Sequence, residues 1–106
     1  MTHPLDKLFV TIVARRDAGN ADTSYTARLL SEGVARCVKK FGEEAFEVAI
    51  AALSQDKDHL AAESADVLYH LAVVWAAAGI TPQDVYAKLQ AREGQSGLAE
   101  KAARKT

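Results

Sequence analysis

The chain has 106 residues, 49% of them hydrophobic and 25% charged, the balance of an ordinary soluble domain of about this length. Its formal net charge of -1 supplies no positive field to hold nucleic acid, so an anionic ligand needs local basic groups or a metal. The one cysteine, Cys37, excludes an intrachain disulfide and a one-chain thiolate zinc site, which fits a reducing compartment.

Met1 to Asp17 lacks the apolar core and cleavage pattern of a secretory signal. A first helix is predicted from Pro4 to about Ala18, with Leu5, Leu8, Phe9, Ile12 and Val13 at helical spacing. Gly19 to Thr23 reads as a loop. Ser24 is placed to cap a short helix over Tyr25–Ser31 that ends at Gly33. A third helix follows from Val34 to about Leu53, and Asp56 or Asp58 opens a fourth that runs to Ala78 and stops at Gly79. Its apolar stretch, Val67 to Ala78, is shorter than the roughly 20 residues needed to cross a bilayer. No membrane contact is expected, and the location is expected to be cytoplasmic. Thr81-Pro82-Gln83-Asp84 opens a fifth helix to about Glu93. The tail from Gly94 is rich in glycine and charge; it can form a turn or two over Leu98–Arg104, and from about residue 95 it is expected to fray. β-branched alternation and Asn-Gly or Asp-Gly hairpin signals are absent. The expected fold is all-α, a bundle of about five helices in a single domain, residues 1–106.

The third and fourth helices each carry an acidic pair, and this is the nearest thing to a repeat. On the third, Glu47 lies about 60° from Glu44, and Cys37, Val48 and Ala51 fall within about 40° of Glu44. On the fourth, Glu63 lies about 60° from Asp66, with His70, Val73 and Ala77 within about 40°. The acids therefore share faces that continue into core residues. The connection Ser54 to Asp56 is short, which makes the two helices antiparallel neighbours. About seven or eight residues separate each pair from the turn, so Glu44/Glu47 and Glu63/Asp66 face one another at nearly one height. Carboxylates so clustered repel, and a cation resolves that repulsion. All-oxygen ligands select Mg²⁺, with Mn²⁺ as a substitute, and such a site suits phosphoryl chemistry. The competing reading is that of solvated acids forming surface ion pairs with Lys39, Lys40 or Lys57.

Glu44-x-x-Glu47 followed by Glu63-x-x-Asp66 resembles the signature of the MazG-type all-α nucleotide pyrophosphatases. Ser24-Tyr25-Thr26, Leu29-Leu30, Gly33, Lys39 to Glu44, Glu63 to Asp66 and Leu68 to Leu71 narrow the resemblance to the phosphoribosyl-ATP pyrophosphohydrolases of histidine biosynthesis. So do Asp84-Val85 through Leu89, Arg92 and Ser96 to Ala102. Phe41 departs from it, standing where the family more often has a smaller aliphatic residue. The resemblance implies hydrolysis of phosphoribosyl-ATP to phosphoribosyl-AMP and pyrophosphate with Mg²⁺, and a helical homodimer with its site near the subunit interface. Family members are often fused to the cyclohydrolase of the next step; with 106 residues and one cysteine, a stand-alone enzyme coupled in function to a separate phosphoribosyl-AMP cyclohydrolase is expected.

In that frame Glu44, Glu47, Glu63 and Asp66 are the catalytic and metal-binding set. The expected substrate contacts are Tyr25, Thr26, Lys40, Lys39 and Arg92. Lys40 lies on the acid side one turn before Glu44, while Lys39 points elsewhere and would reach substrate across a dimer interface. Ser24, Tyr25 and Thr26 sit at a helix start, where phosphate binding competes with plain capping. Arg92 is read either as a phosphate ligand or as a cation favoured by the end of its helix. Glu43 is read as an ion-pair partner or a solvated acid, and His70 as a satisfied polar core residue. Trp75 and Leu68 face away from Asp66, which suggests a helix buried on all sides and motivates a homodimer independently. Two rival functions are a pyrophosphatase that clears dNTPs and a non-catalytic helical dimerisation module.

Overall fold

A computed structural model describes residues 3–93, so the expected turns over Leu98–Arg104 and the C-terminal motif Ser96 to Ala102 lie outside it. Five helices follow in order: α1 Pro4–Ala18, α2 Tyr25–Ser31, α3 Val34–Ser54, α4 Lys57–Ala78 and α5 Pro82–Arg92. No strand occurs among the described residues.

Side-chain caps fix most of the helix starts. The Ser24 hydroxyl accepts the Ala27 N–H at 3.1 Å, satisfying one of the donors that a helix start leaves free. Asp56, rather than Asp58, caps α4 by accepting the His59 N–H at 3.1 Å. Thr81 and Asp84 form a reciprocal capping box at α5, and Pro82 is tolerated as its first residue because that position needs no N–H. Gly33 at φ 95° and Gly79 at φ 83° occupy backbone that favours glycine: Gly33 separates α2 from α3, and Gly79 ends α4.

The hairpin of α3 and α4 is the spine, and α1 and α2 pack across α4. Ile12, Leu29, Cys37, Ala72, Val73, Trp75 and Ala76 form the buried core, with Leu5, Leu8, Phe9, Leu30 and Val85 packed against it. By length and composition α4 could cross a membrane, but it carries Glu63 and Asp66 and its C-terminal half is buried in the bundle. It serves as the core helix.

One expectation changes here. Trp75 is only 7% exposed within a single chain, because the core of the bundle covers it. It therefore gives no argument for a second subunit. Leu68 stays 46% exposed, and the larger uncovered surface is on α3, where Val34, Val38, Phe46, Ile50 and Leu53 are all exposed. These five fall within an arc of about 160°, opposite the side on which Cys37, Glu44 and Ala51 lie.

Candidate metal and substrate site

The α3–α4 hairpin positions the acids. Cys37 and Ala51, both fully buried, are small enough to let α4 approach α3 on the face that also holds Glu44. Across the seam α4 presents Glu63 and Asp66, three residues apart and hence neighbours on one side of the helix. One carboxylate oxygen from each of Glu44, Glu63 and Asp66 lies within 4.8 Å of the others. Glu44 and Glu63 are half-buried and Asp66 is exposed.

Glu47, the fourth predicted ligand, is outside this trio and exposed. Its position about 60° round α3 from Glu44 turns it from the seam toward solvent, which leaves it at the shoulder of the cluster. The ion pairs among the described residues lie elsewhere: Arg16–Asp17, Arg36–Glu32 and Lys40–Glu43. Among the described residues no lysine or arginine forms an ion pair with the trio. Three converging carboxylates with no such pair are a donor set that fits a hard divalent ion.

Lys40 donates to Glu43 at 3.1 Å, so Glu43 is an ion-pair partner on the surface of α3. That hydrogen bond raises the Lys40 pKa, helped by the nearby Tyr25 and by the Glu43 charge, and it lowers the Glu43 pKa. Lys39 is exposed on another side of the helix. Arg92 closes α5, which docks on α1 where Gln83 and Tyr86 donate to Asp6 at 3.3 and 2.9 Å. No hydrogen bond or ion pair among the described residues brings Arg92 to the acids.

Tyr25 and Thr26, at the start of α2, are held against α4 one turn beyond Asp66. The Tyr25 hydroxyl lies 3.3 Å from His70 Nε2, and the Thr26 and Tyr69 hydroxyls are hydrogen-bonded to each other. His70 Nδ1 lies 2.9 Å from the Asp66 carbonyl oxygen. His70 is thus a satisfied buried residue, as read from the sequence, although it shares the acidic face of its helix. The hydrogen bond of Tyr69 to Thr26 went unread in the sequence. Its signal was the place of Tyr69 three residues after Asp66, on the side facing α2. Burial raises the Tyr69 pKa, partly offset by the Thr26 hydrogen bond.

Comparison with known proteins bears on the same residues. A family model described as phosphoribosyl-ATP pyrophosphohydrolase matches residues 6–93. The phosphoribosyl-ATP pyrophosphatase of Parvibaculum lavamentivorans is 56% identical over 100 residues, covering 94% of this chain and 91% of the relative. That of Azospirillum brasilense is 53% identical over 102 residues, 96% and 91% of the two chains. That of Agrobacterium fabrum is 56% identical over 95 residues, 90% and 89%. The match runs from α1 through the acid-bearing hairpin to the end of α5, and on that extent this chain belongs to the phosphoribosyl-ATP pyrophosphohydrolase family.

Proposed function

We propose that the chain hydrolyses the α–β phosphoanhydride of phosphoribosyl-ATP, giving phosphoribosyl-AMP and pyrophosphate in the second step of histidine biosynthesis. Mg²⁺ is the cofactor, with Mn²⁺ able to replace it. The observation that carries this reading is the convergence of Glu44, Glu63 and Asp66, with no ion pair to them among the described residues. The relatives' names supply the substrate.

Glu44, Glu63 and Asp66 hold the ion, and Glu47 joins them from the shoulder of α3 by a change of rotamer. A divalent ion bound there supplies charge neutralisation for phosphate oxygens and acidifies water. A carboxylate oxygen not engaged by the ion orients the attacking water and accepts its proton. Lys40 can leave its exposed pair with Glu43 for a phosphate oxygen, since such surface pairs are weak. Lys39 and Arg92 are further phosphate contacts, reached across a subunit interface, and Tyr25 and Thr26 bind substrate from the start of α2. The uncovered face of α3 supports a homodimer, and the reading places the enzyme in the cytoplasm beside a separate phosphoribosyl-AMP cyclohydrolase.

The test is pyrophosphate release from phosphoribosyl-ATP and from a dNTP panel, with and without Mg²⁺. Wild type is expected to turn over phosphoribosyl-ATP only with the metal. Glu44→Gln, Glu63→Gln and Asp66→Asn are each expected to lose about 100-fold or more in kcat/KM while remaining folded. Turnover of dNTPs alone would replace the substrate; no turnover of any nucleotide would leave a helical interaction module.

A further inference from the structure

His70 is 7% exposed and both ring nitrogens have partners, so the direction of each hydrogen bond can be worked out. The Asp66 carbonyl oxygen has only lone pairs to offer, so Nδ1, 2.9 Å away, carries the ring proton. In the neutral imidazole Nε2 is then a bare lone pair. The group 3.3 Å from it is the Tyr25 hydroxyl, and the one proton available to that contact is the phenol's own. At this length the bond is weak by itself, and ring packing holds it in place. The Tyr25 ring meets His70 edge-on with centroids 6.1 Å apart and lies over Tyr69 at 6.4 Å and 26°. Tyr69 in turn meets His70 edge-on at 4.9 Å. Tyr25 remains 51% exposed and open to a ligand, whereas the imidazole is buried.

We propose that His70 is a positioning residue whose Nε2 accepts a hydrogen bond from the Tyr25 hydroxyl, so that Tyr25 turns a lone pair, not a proton, toward the substrate. The proposal rests on the reading of the site as a phosphoribosyl-ATP pyrophosphohydrolase centre and assigns a polarity within it. A phosphate oxygen has no proton to give, so it finds no partner in Tyr25. The Tyr25 oxygen instead accepts from an O–H or N–H of the substrate's sugar or base. Phosphate contacts fall to Lys40 and the metal. Tyr25 is therefore a specificity residue for the nucleoside part, and His70, which touches no substrate, sets which part Tyr25 can read.

Kinetics of pyrophosphate release from phosphoribosyl-ATP at saturating Mg²⁺ give the sign. Tyr25→Phe is expected to raise KM about 3- to 10-fold, the loss of one hydrogen bond, with the loss falling on KM rather than kcat. His70→Phe is expected to raise KM by a similar factor, and the double variant to be no worse than either single one. A lower KM in His70→Phe, as when the freed phenol proton reaches phosphate, would overturn the proposal, and so would multiplying effects. A second readout needs neither turnover nor a folded His70 variant. ¹⁵N NMR of the wild-type side chain should show the Nδ1–H tautomer, and Tyr25→Phe should move the Nε2 resonance while Nδ1 keeps its proton. An Nε2–H tautomer would sink the proposal. If wild type releases no pyrophosphate while the Nδ1–H tautomer is present, the substrate reading fails and the hydrogen-bond polarity stands.

Discussion

Side chain by side chain, the site consists of charges that the fold brings together without balancing. Glu44, Glu63 and Asp66 converge within 4.8 Å, and like charges so close oppose the folded state until a cation joins them. Metal-free protein should therefore gain stability when one acid is neutralised. Asp66→Asn is expected to raise the melting temperature in EDTA by a few degrees, roughly what about 0.5–1 kcal/mol gives in a chain of this size. The same variant should lose most of the stabilisation that millimolar Mg²⁺ gives wild type, because binding to the folded state alone is what stabilises. A thermal melt with and without Mg²⁺ checks both signs; an Asp66→Asn protein that Mg²⁺ stabilises as much as wild type would remove this acid from the metal site. Tyr69 yields a pH prediction. Burial raises its pKa from the ordinary 10.0, so the unfolded chain gives up this proton before the folded one does. Its contribution is fully present below pH 10 and is lost as pH rises through the higher folded value. The urea midpoint of wild type should therefore fall more steeply between pH 9 and pH 11 than that of Tyr69→Phe.

At the scale of helices, most of the fold was legible because each start and stop has a local chemical cause. Ser24, Asp56 and the Thr81–Asp84 box are short side chains that satisfy free N–H groups, and Gly33 and Gly79 take backbone that other residues avoid. Phasing at about 100° per residue likewise put Glu44, Glu63 and Asp66 on facing sides of one hairpin. The same phasing put Trp75 on a buried side but did not say what buries it, since an angle says which side a residue occupies and not which element covers that side. Only the long-range packing of α1 and α2 on α4 decides it. Angle alone likewise did not place Glu47: Glu63 and Asp66 are also about 60° apart on α4, yet both reach the trio while Glu47 stands exposed outside it. The short turn between α3 and α4 was read, but not its left-handed backbone, where Gln55 adopts φ 64° with no glycine to signal it. A residue with a Cβ is strained there. Gln55→Gly is expected to stabilise the chain by about 0.5–1 kcal/mol in urea unfolding, the helix-ending backbone being native to glycine. An unchanged or lower midpoint would mean that the Gln55 side chain contributes more than the strain costs.

For the molecule as a whole, the question is what covers α3. A chain of 106 residues buries only part of its apolar surface, and here the largest uncovered part is ordered along one helix face rather than scattered. Phe46 is 60% and Leu53 84% exposed, with Val38 and Ile50 beside them, on the side of α3 away from the acids. A second copy is the occupant we propose. A C2 pairing sets the same face against itself, so each α3 would lie between its own α4 and its partner, with acids on one side and the apolar face on the other. Lys39 lies on the same side of α3 as this apolar face and would stand at that interface. Phe46→Glu and Leu53→Lys each put a charge on this face without touching the core of the monomer. Sedimentation velocity at micromolar concentration should show wild type as a dimer and Phe46→Glu shifted toward monomer, with a melting temperature that no longer rises with protein concentration. If catalysis needs the partner's cations, kcat/KM should fall along with the dimer, and both should be recovered when Phe46→Glu is mixed with Leu53→Lys, whose charges are opposite. A monomeric Phe46→Glu protein with full activity would mean that each chain builds its site alone.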